Sequence, residues 1–86
     1  MGVMMLCRES MRIADELGAG WHPAPMVMEN GRVMPRAACG SVSVSWFNMS
    51  GGAGFIARSR KRAGVGTGDT ASAALADFVA RGPAVA

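Results

Sequence analysis

The stretch Ser41-Val42-Ser43-Val44-Ser45-Trp46-Phe47 decides the fold class of this 86-residue chain. Polar and apolar residues alternate, so Val42, Val44 and Trp46 share one face of a strand and the serines share the other. One apolar face and one polar face are typical of an antiparallel sheet that is covered on a single side. The stretch therefore predicts such a sheet, with its apolar face buried under other elements.

Residues 26–34, which precede this strand, have the pattern of a β-hairpin. Asn30-Gly31 lies at the centre of two apolar runs, and this dipeptide favours the two-residue type I′ turn. A two-residue loop fixes the register of the hairpin and puts apolar residues on both of its faces. The predicted cross-strand pairs are Glu29 with Arg32, Met28 with Val33 and Val27 with Met34.

Glycine-rich segments alternate with one further predicted strand after Phe47. Residues 48–54 are predicted to be a flexible loop, and residues 55–60 a return strand. Residues 64–68 contain three glycines, which predicts a flexible connection before the last element.

An amphipathic helix is predicted at each end of the chain. In residues 3–17 the apolar positions share one face, and Gly18 follows where a helix would end. The second helix is capped by Asp69 or Thr70 and ends at Gly82-Pro83. The predicted core positions are Cys7, Met11, Ala14 and Leu17 in the first helix, with Leu6 and Ile13 widening that face, and Ala71, Ala74, Leu75, Phe78 and Val79 in the second.

Two ion pairs are expected on the polar faces of these helices. Arg12 and Glu16 are four residues apart in the first helix, and Asp77 and Arg81 have the same spacing in the second.

These elements together predict one compact α+β domain over residues 1–86. The predicted domain has an antiparallel sheet of three to four strands, with one helix before it and one helix after it in the chain, in the order α-β-β-β-α. A chain of this length holds one domain, with no room for separate cofactor and substrate domains.

The balance of charge narrows the classes of function. Nine basic residues against six acidic residues give a net charge of +3, which argues against a mimic of DNA. The segment Arg58-Ser59-Arg60-Lys61-Arg62 concentrates four of the positive charges. It is predicted to contact phosphates or an acidic protein surface; the alternative is a charged strand end that prevents aggregation.

Neither a metal site nor a catalytic motif is predicted. His22 is the only histidine, and Cys7 and Cys39 are far apart in sequence, so a four-ligand zinc site is not expected. Gly68 is followed by Asp69 rather than by the lysine of a phosphate-binding loop. We therefore expect no enzymatic activity and no cofactor.

The N-terminal residues and the cysteines bear on location. The apolar run before Arg8 is too short for a signal peptide or a membrane span, which predicts a cytoplasmic protein. In that compartment Cys7 and Cys39 are expected to be free thiols.

The methionines of the hairpin suggest a binding surface. Methionine fills irregular cores and also forms adaptable contact surfaces. A small domain rarely covers both faces of an apolar hairpin, so a protein partner or a homodimer is expected there. The predicted partner-binding residues are Met26, Met28, Arg32 and Met34 of the hairpin, together with Arg58, Arg60, Lys61 and Arg62.

Two resemblances add functional expectations. The segment Gly68-Asp69-Thr70-Ala71-Ser72-Ala73-Ala74-Leu75 resembles the last helix of HicB-type antitoxins, which implies a small nucleic-acid-binding or antitoxin module. The whole chain is similar in kind to small inhibitors encoded by phages and mobile elements, including anti-CRISPR proteins. This second resemblance implies a non-enzymatic inhibitor in the host cytoplasm that blocks a nucleic-acid-processing effector complex of the CRISPR-Cas type.

Of these alternatives, the sequence favours the inhibitor. Apolar contacts from the hairpin would supply its affinity, and the arginines would orient it on carboxylates of the partner. Direct nucleic-acid binding is the less favoured alternative, and a homodimer paired through the hairpin is the third.

Overall fold

Two helices and seven strands make up the described part of the chain. The computed structural model describes residues 2–49 and 52–81, and the side chains of residues 8–47 and 54–81. The elements are α1 (Gly2–Leu17), β1 (His22–Pro23), β2 (Met26–Val27), β3 (Val33–Met34), β4 (Arg36–Cys39), β5 (Val42–Met49), β6 (Gly52–Ser59), β7 (Arg62–Gly68) and α2 (Ala71–Arg81).

The strands form one large sheet and one small ribbon. The large sheet is antiparallel with the order β1-β4-β5-β6-β7, and β2 pairs with β3 in a separate two-stranded ribbon. The predicted α+β class, with an antiparallel sheet and a helix at each end, is confirmed. The sheet has five strands, rather than the predicted three to four.

The core lies between the two helices and one face of the large sheet. Ala37, Val44 and Ala57 are paired across β4, β5 and β6, and each is 0% exposed. Ile13 of α1 and Phe78 of α2 belong to the same buried cluster. Val44 is therefore buried on the predicted face of β5, although Trp46, at the far end of that face, remains 38% exposed. The prediction that the serine face is wet was wrong at Ser45, which lies between Arg36 and Ile56 on the neighbouring strands and is 6% exposed.

Glycines in β7 let α2 lie directly on the sheet. Gly66 pairs with Ala57 and points toward α2, where a methyl group would overlap the backbone of Phe78 and Ala74. A methyl group on Gly68 would lie 2.6 Å from the Cβ of Ala73. The prediction of a flexible connection at residues 64–68 was therefore wrong, because these glycines serve close helix-to-strand packing within a strand.

The predicted loop at residues 48–54 is also mostly strand. Asn48 pairs with Ala53, and Met49 with Gly52, so β5 and β6 continue to the ends of a long hairpin. Strands pair through backbone hydrogen bonds, which glycine forms as well as other residues do. The pairing with β5 therefore holds the glycine-rich start of β6 as a strand. Ser50 and Gly51 lie outside the described residues.

The β2–β3 ribbon has a different register from the one predicted. Met26 pairs with Met34 and Val27 with Val33, a shift of one residue. The Gly31 amide donates to the Met28 carbonyl (2.9 Å), and Gly31 then adopts a φ of 84°.

The turn explains this shift in register. A β-turn followed by a left-handed glycine makes a three-residue loop rather than the predicted two-residue type I′ turn. Glu29 therefore lies in the loop and does not face Arg32, because the Arg32 carbonyl accepts from the Met28 amide (2.7 Å) instead.

The buried face of α1 agrees with the prediction except at Met11. Ile13 and Ala14 are buried, whereas Met11 is 53% exposed. Ser10 is fully buried because its hydroxyl accepts a hydrogen bond from the Arg36 amide (3.1 Å). The helix ends at Gly18, as predicted, and the side chains of Leu6 and Cys7 lie outside the described residues.

The polar side of α1 contacts α2. The predicted pairing of Arg12 with Glu16 was wrong, because Arg12 pairs with Glu9 (3.2 Å). Glu16 instead accepts a hydrogen bond from the Ser72 amide (2.7 Å) in the first turn of α2. A carboxylate is favoured there because the amides at a helix N-terminus carry partial positive charge.

The capping and the ion pair predicted for α2 are confirmed. The Thr70 hydroxyl accepts from the Ala73 amide (3.0 Å), and Arg81 pairs with Asp77 (3.1 Å). Ala71, Ala74 and Phe78 are buried, but Val79 is 65% exposed, so its assignment to the core was wrong. Gly82 and Pro83, the predicted end of the helix, lie outside the described residues.

Candidate binding surfaces

Arg62 packs against α2. Its guanidinium carbon lies 3.6 Å from the centre of the Phe78 ring, and one of its terminal nitrogens donates to the Phe78 carbonyl. That carbonyl belongs to the last turn of α2, where a cation is favoured. The structure therefore separates Arg62 from the other residues of the predicted basic cluster.

The other members of the basic cluster face solvent. Arg58, Arg60 and Lys61 are exposed, the last two in the turn between β6 and β7. Within the described ranges, none of the three has an acidic partner within ion-pair distance. Arg58 pairs with Ser43, so it points away from the helices.

The face of the large sheet opposite the helices is here named the helix-free face. Neither described helix lies on it, since α1 and α2 both pack against the side that carries Val44. Its principal members are Arg36, Ser43, Phe47, Ile56, Arg58 and Val65.

A depression of about 270 Å³ lies at one end of this face. Arg36, Arg58 and Arg60 line it together with serine residues of β5 and β6. The Arg36 Nε donates to the Ala24 carbonyl (2.8 Å), which orients this guanidinium. Arg36 is separated from the basic cluster by more than twenty residues in sequence, so no local pattern links them. Only the pairing of β4 and β6 with β5 brings Arg36 and Arg58 to the same depression.

A groove of about 350 Å³, here named the ribbon groove, lies between the β2–β3 ribbon and β5. Both Met28 and Trp46 are 38% exposed beside it, and Arg32 supplies a positive charge. Three of the predicted hairpin residues thus line one groove. The residues of interest there are Met28, Arg32, Val33, Met34, Trp46 and Phe47.

The fourth predicted hairpin residue lies outside this set. Met26 is half-buried opposite Met34 and does not line the groove. Trp46 and Phe47 were not predicted as binding residues. The alternating pattern of a strand shows which face each residue is on, but it does not show how far along the strand the helices cover that face.

The ribbon groove and the basic depression are two separate surfaces. The groove lies near Trp46, which pairs with Phe55, whereas the depression lies near Ser43, which pairs with Arg58. The two share no lining residue. The single contact surface expected from the sequence is therefore divided between opposite ends of β5.

Two hydrogen bonds lower the pKa of Asp77. Its carboxylate accepts a hydrogen bond from the Thr67 amide (2.9 Å) and a second one from Arg81 (3.1 Å). The backbone hydrogen bond, and then the arginine, hold the pKa of Asp77 below its ordinary value of 3.8. The contact occupies an amide of β7, the last strand of the sheet.

His22 and Cys39 lie on opposite faces of the sheet. His22 pairs with Ala38, the residue next to Cys39, and adjacent strand residues point to opposite sides.

Among residues whose side chains are described, no group of three His, Cys, Asp or Glu residues is placed to hold a metal ion. Within the described helices, none is long and apolar enough to cross a membrane.

Comparison with known proteins found no matching family, no matching characterised protein and no matching solved structure. The surfaces described above are therefore the basis for the functional proposals that follow.

Proposed function

We propose that this protein is a non-enzymatic inhibitor that binds a protein partner through the ribbon groove. The observation that carries the proposal is the exposure of Met28 and Trp46 around a groove that also presents Arg32. Tryptophan and arginine are the residue types that most often dominate the binding energy of protein interfaces. Methionine adapts its shape to a partner at low cost.

The groove suits an apolar side chain of the partner with a carboxylate beside it. The apolar side chain of the partner would fill the space between Met34 and Trp46, and its carboxylate would pair with Arg32. The proposed target is a subunit of a nucleic-acid-processing effector complex, such as those that anti-CRISPR proteins block. That part of the proposal rests on the resemblance in kind and on the basic charge of the chain.

Affinity capture from a bacterial lysate, with and without nuclease, tests this function. The bait is the wild-type protein or one of two variants, Met28→Ser in the groove and Met11→Ser on α1. Met11 is the matched control because it is an exposed methionine outside the groove. We expect nuclease-resistant capture of the same protein by the wild type and Met11→Ser, and its loss with Met28→Ser.

Three other outcomes would contradict the proposal. Loss of all captured material with nuclease would favour the nucleic-acid-binding module. Equal capture by Met28→Ser and Met11→Ser would place the contact elsewhere. A wild-type dimer in sedimentation that becomes a monomer with Met28→Ser would favour the homodimer.

A further inference from the structure

The large sheet carries positive charge and no negative charge. None of the six acidic residues lies in β1, β4, β5, β6 or β7, or in the turn that joins β6 to β7. Five of the nine basic residues lie in these same segments. They are Arg36, Arg58, Arg60, Lys61 and Arg62.

Three of these five positive charges converge on the basic depression. Arg62 is held against Phe78, but Arg36, Arg58 and Arg60 all line the depression. The guanidinium groups can bind a phosphate through paired hydrogen bonds. A phosphodiester at this position would meet no carboxylate from the strands of the sheet.

Beyond the depression, the helix-free face is partly apolar. Ser45 lies at its centre but is buried, and the half-buried Ile56 and Phe47 lie beside it and further along toward the ribbon. Phe47 is four residues from Ser43 along β5, or about 13 Å. Phe47 also borders the ribbon groove, whereas the arginines do not.

These features fit a single strand better than a duplex. Reading the base sequence of duplex DNA requires a helix or a ribbon that enters a groove, and neither described helix lies on this face. A single strand has exposed bases that can lie on apolar and aromatic side chains while its backbone follows positive charge.

We propose that the helix-free face binds single-stranded nucleic acid, with backbone phosphates in the depression between Arg36, Arg58 and Arg60. The bases of the neighbouring nucleotides lie against Ile56 and Phe47. The depression that holds the phosphates shares no lining residue with the ribbon groove, and only Phe47 borders both surfaces, so phosphate binding does not depend on the protein partner.

The binding is weak and strongly dependent on salt. Three phosphate contacts give a log–log slope of affinity against salt of about −2 for a single strand. Raising the salt from about 50 to about 200 mM then weakens binding about 20-fold.

Fluorescence anisotropy with a labelled twelve-nucleotide oligothymidine tests the proposal on the full chain. The wild type is compared with Arg58→Ala and with Arg8→Ala, which removes an exposed arginine of α1. We expect Arg58→Ala to weaken binding by about 5- to 10-fold at low salt and to reduce the slope by about 0.7. Arg8→Ala leaves both quantities close to those of the wild type.

Further measurements separate this ligand from the alternatives. The Met28→Ser variant binds the oligonucleotide normally, so failure of the groove proposal and failure of this one are distinguishable. The proposal is overturned by absence of binding at low salt, by equal effects of Arg58→Ala and Arg8→Ala, or by a duplex of the same length that binds as tightly. A polyglutamate peptide that displaces the oligonucleotide at equal charge concentration would assign the face to an acidic protein instead.

Discussion

Gly66 of β7 lies directly beneath Phe78 of α2, so close that a methyl group on Gly66 would overlap the Phe78 backbone nitrogen. The side chain of the same Phe78 is covered by Arg62, four residues before Gly66 in the chain. One short strand therefore both receives the helix and covers its main buried aromatic residue. This arrangement makes β7 the strand on which the packing of α2 depends.

The first prediction concerns Gly66→Ala. With open space, alanine in a strand would stabilise the protein by about 0.5–1 kcal/mol, because it restricts the unfolded chain. Here the added methyl group meets helix backbone, so we expect a loss of about 3 kcal/mol in the free energy of unfolding. Denaturant unfolding measures the difference. Val65→Ala, an exposed position on the opposite face, is the control, and a stabilising effect of Gly66→Ala would disprove the packing of α2 on β7.

The second prediction distinguishes the arginines of the basic cluster. Arg62→Ala removes the contact with the Phe78 ring and a hydrogen bond to the end of α2, so we expect a loss of about 1–2 kcal/mol. Arg60→Ala removes an equal charge from the exposed turn and changes stability by less than about 0.5 kcal/mol. Thermal melts of the two variants make the comparison. Equal melting temperatures would return Arg62 to the set of partner-binding candidates predicted from the sequence.

The third prediction concerns the turn of the ribbon. Gly31 has a φ of 84° and open space around it, so the cost of a side chain there is conformational rather than steric. Gly31→Val should open the ribbon locally by about 1–2 kcal/mol, whereas Gly31→Asn is tolerated because asparagine adopts this conformation more readily. Hydrogen exchange of the Met28 amide, which donates to the Arg32 carbonyl (2.7 Å), reports the opening. Identical exchange rates in the two variants would contradict the observed turn.

The fourth prediction concerns acid stability. Because folding lowers the pKa of Asp77 from 3.8, the ionised carboxylate stabilises the folded state above that pH. The stabilisation is lost as the pH falls from 3.8 through the lowered value. Melting temperatures of the wild type and Asp77→Asn should therefore differ at neutral pH and converge in strong acid. Asp15→Asn, at an exposed carboxylate of α1 without a described hydrogen bond, serves as the control; a gap that stays constant with pH for Asp77→Asn would refute the assignment.

Local patterns predicted several elements correctly. The alternation around Val44, the capping of α2 by Thr70 and the pairing of Asp77 with Arg81 all depend on residues within a few positions of one another. Such interactions are set by strand and helix periodicity, which a single sequence contains in full. The same information predicted the α+β class and the positions of both helices.

The positions of glycines were harder to interpret. The three glycines in residues 64–68 are compatible both with a flexible loop and with a strand beneath a helix, so the sequence does not distinguish the two. The difference lies in α2, whose backbone occupies the space that side chains on Gly66 and Gly68 would need. Similarly, Asn30-Gly31 is compatible with more than one hairpin loop, and the two-residue prediction shifted the ribbon register by one residue.

The sequence by itself determined which segments are apolar on one side and where the basic residues are concentrated along the chain. Only the tertiary structure decided that Arg62 serves the fold, while Arg36 joins Arg58 and Arg60 at one depression. The physical reason is that side-chain direction in a sheet follows from strand register. Arg36 and Arg58 lie on β4 and β6, which both pair with β5, and the alternation within each strand does not contain the register that places these residues near each other. The separation of the basic depression from the ribbon groove has the same origin.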